Sequence, residues 1–321
     1  IVSGRQALNN WRLEHGPFDP HSYAARGDSD WTLLVQSVDH YVPELDALKQ
    51  AFRFIPDWRL DDIMVSFAAT GGSVGPHFDN YDVFLVQGSG SREWRLGGHC
   101  PPNTALYPHP DLRLLAEFNT DETIVMQAGD MLYLPPRYAH WGVALEPCMT
   151  FSVGFRAPTA RELLLSYCDT VINAAGDDIF YRDSEPGQQR SSAEITATTV
   201  AAMRDMLTSQ MTDAMVQEWI GSHLSAVPGW ESLGDDAAVD WHQSYSLALA
   251  VRCAWIATEN SYRLFINGEM FEGDGPAWQT LVTQLGDQRT LALDQHPAMR
   301  QCQHCTRALR KLVAAGQLEL L

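Results

Sequence analysis

The chain has 321 residues, 45% hydrophobic and 19% charged, enough for one large domain with one or two smaller ones. Forty acidic against 22 basic side chains leave a formal charge of −18, which repels nucleic-acid phosphate and suits a basic protein or peptide. No apolar run approaches the roughly 20 residues of a membrane span, and six scattered cysteines do not make a secreted disulfide framework, so a reducing cytoplasm is expected. Because the sequence opens on Ile1 and not Met, residues ahead of it are expected to be missing from it.

Up to about Pro158, short alternating apolar segments are punctuated by Gly, Pro, Asn and Asp, the texture of a β-sandwich or barrel. A helix is predicted over Val42–Phe54. Strands are predicted at Ile63–Ala68, Asp82–Gln87, Arg92–Leu96, Glu122–Gln127, Met131–Leu134, Trp141–Leu145 and Met149–Phe155. Gly88-Ser89-Gly90 and Ala128-Gly129-Asp130 supply turns.

Helical periodicity then takes over, at Arg161–Ala175, Glu194–Leu207 and Thr212–Leu224, with a polar loop at Asp183–Gln189. Apolar faces this far from a barrel core need a partner, and a second copy of the chain would cover them. A linker is predicted at Pro228–Asp240. Beyond it the expected order is helix, a hairpin at Arg263–Phe271 with Asn267-Gly268 at its tip, and more helix. Helices with a small hairpin resemble a winged helix. Residues 241–321 carry seven basic and seven acidic side chains, without a basic stripe, so a protein-contact or structural module is expected and direct nucleic-acid binding is not. Cys302 and Cys305 form a CxxC within the helix-like run 297–315; no second pair accompanies it, and it reads as structural.

Chemistry concentrates in Gly75-Pro76-His77-Phe78-Asp79. In an extended chain, side chains alternate, so His77 and Asp79 share one face and Phe78 takes the other. A third ligand must come from elsewhere, and His140, after the strand and prolines of Met131–Pro136, is placed to return to this pair. Two histidines and one carboxylate form the facial triad of non-haem iron(II) oxygenases. Three protein ligands leave three coordination positions, two for a chelating 2-oxo acid and one for dioxygen. The distal carboxylate of 2-oxoglutarate needs a cation, and Arg92, at the start of the strand after the Gly88-Ser89-Gly90 turn, can grip it with two parallel hydrogen bonds. Arg95 falls on the opposite face. Ser66 and Thr150 are further expected cosubstrate contacts, and Tyr81 and Asp82 expected substrate contacts.

Glu14–Phe18, Trp31–Gln36, Pro56–Arg59, His77–Phe84, Trp94–Gly97, Leu132–Pro136 and Phe151–Pro158 together resemble the bacterial ribosomal oxygenases of the JmjC class. The resemblance implies a double-stranded β-helix (jelly-roll, cupin-type) barrel over 1–158, a helical dimerisation region over 159–232 and a winged-helix-like domain over 233–321. It implies iron on His77, Asp79 and His140, 2-oxoglutarate on Arg92, O2 as cosubstrate, and a homodimer. It further implies a basic ribosomal protein as substrate, hydroxylated at C3 of an arginine in large-subunit protein number sixteen. The same catalysis on a ribosomal histidine, or demethylation of a methyl-lysine, is the alternative.

Overall fold

The alternating stretch that begins at Leu60 organises the first half of the chain. In the computed structural model, which describes residues 1–4, 10–175, 180–182, 191–209, 211–227 and 237–321, the chain divides into two units, Ile1–Ala157 and Pro158–Leu321. The first runs β1 (Val2–Ser3), β2 (Arg12–Leu13), α1 (Pro20–Ala24), β3 (Trp31–Val35), α2 (Pro43–Gln50), β4 (Leu60–Ala68), β5 (Val83–Ser89), β6 (Arg92–His99), β7 (Glu122–Met126), β8 (Met131–Leu134), β9 (Tyr138–Ala144) and β10 (Cys148–Phe155). All seven predicted strands form, within a few residues of their expected ends. The predicted helix is shorter than Val42–Phe54: Pro43 pre-sets its first turn, and after Gln50 the chain tightens so that Phe52 enters the core.

Two antiparallel sheets result, one in the order β2-β1-β3-β4-β10-β5-β8 and the other β7-β6-β9. Strand alternation divides their side chains. On one face of the larger sheet, Ile63, Val153 and Phe155 pack with Leu45 and Phe52 around α2. The opposite parity, Asp62, Met64 and Ser66 on β4 with Ser152 and Gly154 on β10, lines a cavity that Arg92 and Trp94 of β6 also line, from the smaller sheet. Val83, Leu85, Trp94, Leu96, Met126 and Leu134 form the apolar core shared by the two sheets. Below α2, the fully buried Asp39 accepts from the Ile63 amide at 2.8 Å and pairs with Lys49 at 2.5 Å, anchoring the helix to β4.

The second unit contains α3 (Ala160–Ala174), α4 (Ala197–Thr208), α5 (Asp213–Ser225), β11 (Ser244–Leu247), β12 (Cys253–Ala257), β13 (Tyr262–Ile266), β14 (Glu269–Gly273), α6 (Gly275–Thr283), β15 (Thr290–Ala292), α7 (Gln303–Ala314) and β16 (Leu318–Leu320). The three helices expected first are present, each opened by a threonine cap: Thr159 in a reciprocal capping box with Glu162, then Thr196 and Thr212. The expected loop Asp183–Gln189 and most of the linker lie outside the described residues. One expectation is corrected. After the linker come two strands and not a helix, because Tyr245 and Leu247 are buried with serines between them, a period of two. The hairpin forms as predicted, β13 to β14, with Asn267 and Gly268 at φ 46° and 89°, as its two-residue turn demands. The run 297–315 is two pieces, a 3-10 turn over Pro297–Gln301 and then α7, with Cys302 at the junction and Cys305 buried. Trp278, Leu281, Leu285, Leu309 and Leu312 sit at the centre of this unit's core.

Candidate metal centre and its cavity

Gly75 carries the chain into the site at φ 84°, a left-handed conformation, and a Cβ there would stand 2.7 Å from Leu114. The following segment is extended but belongs to no named strand; its one ladder contact is an isolated antiparallel bridge between His77 and His140. The expected alternation holds. Phe78 packs with Cys100, Leu115 and Ala139, while the donor atoms of His77 and Asp79 meet that of His140 within 4.8 Å of one another.

The tautomers follow from the partners. His77 Nδ1 lies 2.8 Å from the Gly75 carbonyl and His140 Nδ1 2.8 Å from the Tyr138 carbonyl. A carbonyl can only accept, so each Nδ1 bears the proton and each Nε2 keeps a lone pair for a metal. His140 is buried, and burial together with the neighbouring His77 lowers its pKa to about 3, which keeps the imidazole neutral. The Trp94 indole lies tilted at 51° with its centroid 5.9 Å from the His140 ring, and it fits there because Gly142, opposite it in the ladder, has no side chain: a Cβ would lie 2.7 Å from the indole. Tyr81 neighbours Asp79 at the cavity, and burial together with that carboxylate pushes its phenol up.

Arg137 was not foreseen. In a left-handed conformation after Pro135-Pro136, it donates its amide to the Asp79 carbonyl at 2.6 Å and its side chain to the Asn80 side chain and the Cys100 carbonyl, over the ring of Phe78. Two prolines followed by a residue with positive φ form a turn signal that could have marked it.

The three donors line a cavity of about 710 Å³ with Ser66, Tyr81 and Arg92. Arg92 is 6% exposed; its Nη1 reaches Ser66 Oγ at 3.4 Å, while Nε and Nη2 are buried with no protein partner. Burial lowers its pKa, partly offset by the Cys148 sulfur beside it. A guanidinium buried in this way is costly unless a carboxylate completes its hydrogen bonds. Arg95 is on the outer face as expected, paired with Glu93 at 2.6 Å and lying over Trp141.

Other expected site residues fall elsewhere. Thr150 has inward parity but is fully buried, gives its hydroxyl to Gln87 and is not among the cavity-lining residues. Asp82 is also outside the lining, held by Arg59 and the Tyr133 hydroxyl, each at 2.8 Å. The carboxylate that does line the cavity is Asp62, which burial raises above the usual carboxylate range while the Ser37 amide and hydroxyl hold it at 2.6 and 3.0 Å. It was missed because Asp61-Asp62 reads as a solvated pair; its shared parity with Ser66 was the available signal.

The donor set fits a ferrous ion: two neutral imidazole nitrogens and one carboxylate, with an unsatisfied guanidinium in the same cavity. A family model described as the JmjC domain matches residues 47–163. Fold and site thus define a JmjC-domain protein with a three-ligand candidate metal centre.

The chain is 39% identical to the ribosomal protein uL16 3-hydroxylase of Escherichia coli over 67% of this chain and 57% of that protein, and 32% identical to a probable ribosomal oxygenase of Haemophilus influenzae over 88% and 74%. It also matches the structure of the E. coli ribosomal oxygenase YcfD in complex with cobalt and 2-oxoglutarate, with a TM-score of 0.82 and 28% identity, over 99% of this chain and 85% of that one. The chain belongs to the JmjC ribosomal oxygenase family.

Proposed function

We propose that this chain is an Fe(II)- and 2-oxoglutarate-dependent dioxygenase that hydroxylates a ribosomal protein, at C3 of an arginine in uL16. The observation that carries the reading is one cavity holding both the three convergent ligand atoms and the orphaned Arg92 guanidinium. Relatives named as a uL16 3-hydroxylase and a ribosomal oxygenase, and a solved relative with cobalt and 2-oxoglutarate, support it.

In this reading His77, Asp79 and His140 hold iron, which when bound supplies the activation of O2 and of the 2-oxo acid. The Nδ1–H bonds to the Gly75 and Tyr138 carbonyls fix both rings. Arg92, assisted by Ser66, binds the distal carboxylate of 2-oxoglutarate, completing its own hydrogen bonds. Asp62, held by Ser37, faces the incoming side chain and suits a guanidinium, whose charge favours its ionised form. Tyr81 closes the same wall.

Helices α3 to α5 are read as a dimerisation region. Leu164, Leu165, Ile172, Val200 and Leu207 are exposed on them, and α4 buries none of its residues in this chain. The division into catalytic, helical and winged-helix-like domains ending at 158, 232 and 321 goes with this reading, as does a place in the cytoplasm, where ribosomal proteins are made. The test is mass spectrometry of uL16 peptide incubated with enzyme, Fe(II) and 2-oxoglutarate. One added oxygen on arginine with stoichiometric succinate is expected. Oxygen on histidine, or formaldehyde from a methyl-lysine peptide, would replace the substrate; no substrate-dependent succinate would end the enzyme reading.

A further inference from the structure

Four of the seven basic residues in 241–321 meet on one surface of the C-terminal unit. Arg300, Arg307, Arg310 and Lys311 line a shallow groove of about 390 Å³ along the outer side of α7, with the side chains of Gln303 and Thr306 between them. Among the described residues, no acidic side chain lines this groove. Arg307 and Lys311 also border an adjoining recess of about 250 Å³ toward β14, where Glu272 joins the lining and the cationic surface ends. The sequence read this region as charge-balanced and without a basic stripe. Folding separates the signs, because residues three and four apart on α7 share a face and the 3-10 turn before it brings Arg300 to the same groove, while the acids lie on other elements.

Structural roles account for only part of the cluster. Lys311 pairs with Glu269 at 2.7 Å, and Lys311 and Arg310, near the carboxyl end of α7, oppose the negative pole of its dipole. Arg300 precedes the amino end of the helix and Arg307 lies at its middle, where the dipole does not favour a cation. Both are exposed, and neither makes an ion pair among the described residues. On a chain of net charge −18, Arg300 and Arg307 exposed on one surface are a local inversion of the field.

We infer that this groove is a docking site for the phosphate backbone of single-stranded RNA. Arginine forks grip phosphate oxygens, and the Gln303 amide and Thr306 hydroxyl add neutral donors suited to phosphate and ribose. An acidic peptide would satisfy the arginines alone, whereas a phosphate–ribose chain also supplies acceptors to Gln303 and Thr306. The choice of RNA over other polyanions rests on the ribosomal reading above, since a ribosomal protein is met beside RNA. The contacts carry no base readout, so binding is independent of sequence and governed by salt.

The experiment is fluorescence anisotropy of a labelled oligouridine with the full chain, at several salt concentrations, for wild type and R300E/R307E. Binding is expected at about 50 mM salt, with log K falling by about 2 per decade of salt, as about three released counterions require for a single strand. The variant is expected to lose tenfold or more in affinity with an unchanged melting temperature. Three results would overturn the assignment: no wild-type binding at low salt, equal binding by the folded variant, or displacement of the RNA by polyglutamate of matched charge at equal concentration. The readout is binding alone, so it stands or fails separately from hydroxylation.

Discussion

His77 and His140 are joined by two reciprocal backbone hydrogen bonds, amide to carbonyl, at 3.0 and 2.9 Å. The distal ligand therefore reaches the first pair by direct main-chain pairing, and the ring centroids stand 4.2 Å apart before any metal arrives. A site organised by backbone in this way is pre-formed, and its metal affinity is set by the three side chains rather than by folding around the ion.

Replacing His140 or Asp79 with Ala is expected to remove tight Co(II) or Fe(II) binding. The loss should exceed the 10- to 100-fold in affinity typical of disturbing an outer-shell partner. Isothermal titration with Co(II) reads this without turnover. Wild-type affinity in either variant would show that the ion sits elsewhere.

Arg92→Met is expected to raise KM for 2-oxoglutarate by about 30-fold or more, since each charged hydrogen bond contributes about 2 kcal/mol. The metal-free variant should be no less stable than wild type, because the change removes buried donors that lack protein partners. Thermal shifts with and without 2-oxoglutarate separate the two effects: wild type gains stability from the ligand, and the variant does not.

Asp62→Asn is expected to raise KM for an arginine-containing uL16 peptide at least tenfold while leaving 2-oxoglutarate affinity unchanged. Peptide titrations at saturating 2-oxoglutarate check it. An unchanged peptide KM would remove Asp62 from the substrate wall.

The stability of the metal-free protein should fall as pH is lowered. His140 has a folded pKa of about 3 against an ordinary 6.5, so below 6.5 the unfolded chain takes up a proton that the folded one refuses. Its contribution is fully present above 6.5 and is lost on the way down to about 3. Urea midpoints across this range should decline less steeply for His140→Gln than for wild type.

Asp39→Ala is expected to destabilise the first unit by about 3 kcal/mol, because it leaves the buried Ile63 amide without an acceptor and Lys49 with only Asp46, at 3.4 Å. Denaturant unfolding measures this directly. Lys49→Met should cost as much or more, since the fully buried carboxylate would keep the Ile63 amide but lose its close cation.

Residues whose role follows from strand parity were legible before folding. His77, Asp79 and Arg92 face inward as alternation requires, and Arg95 faces outward. Parity failed where a second neighbour intervenes: Thr150 has inward parity, but Gln87 takes its hydroxyl. Asp82 was chosen for nearness in sequence to the ligands, yet it precedes an inward residue and so turns to Arg59 and Tyr133. The strands β1 to β3 are two to five residues long, too short for a periodic signal, and they gain their register from β4. Charge segregation at α7 depends on the phase of that helix and of the 3-10 turn before it, and a count of signs along the sequence averages it away.

The two parities of β4 have a consequence for how this protein can change. Ile63 and Val65 hold α2, while Asp62 and Met64, their immediate neighbours, line the cavity proposed to receive the substrate. Selection can thus rewrite the recognised side chain one position away from residues it must conserve, without disturbing them. An insertion of a single residue in this strand would do the reverse, exchanging wall for foundation and abolishing specificity and folding together.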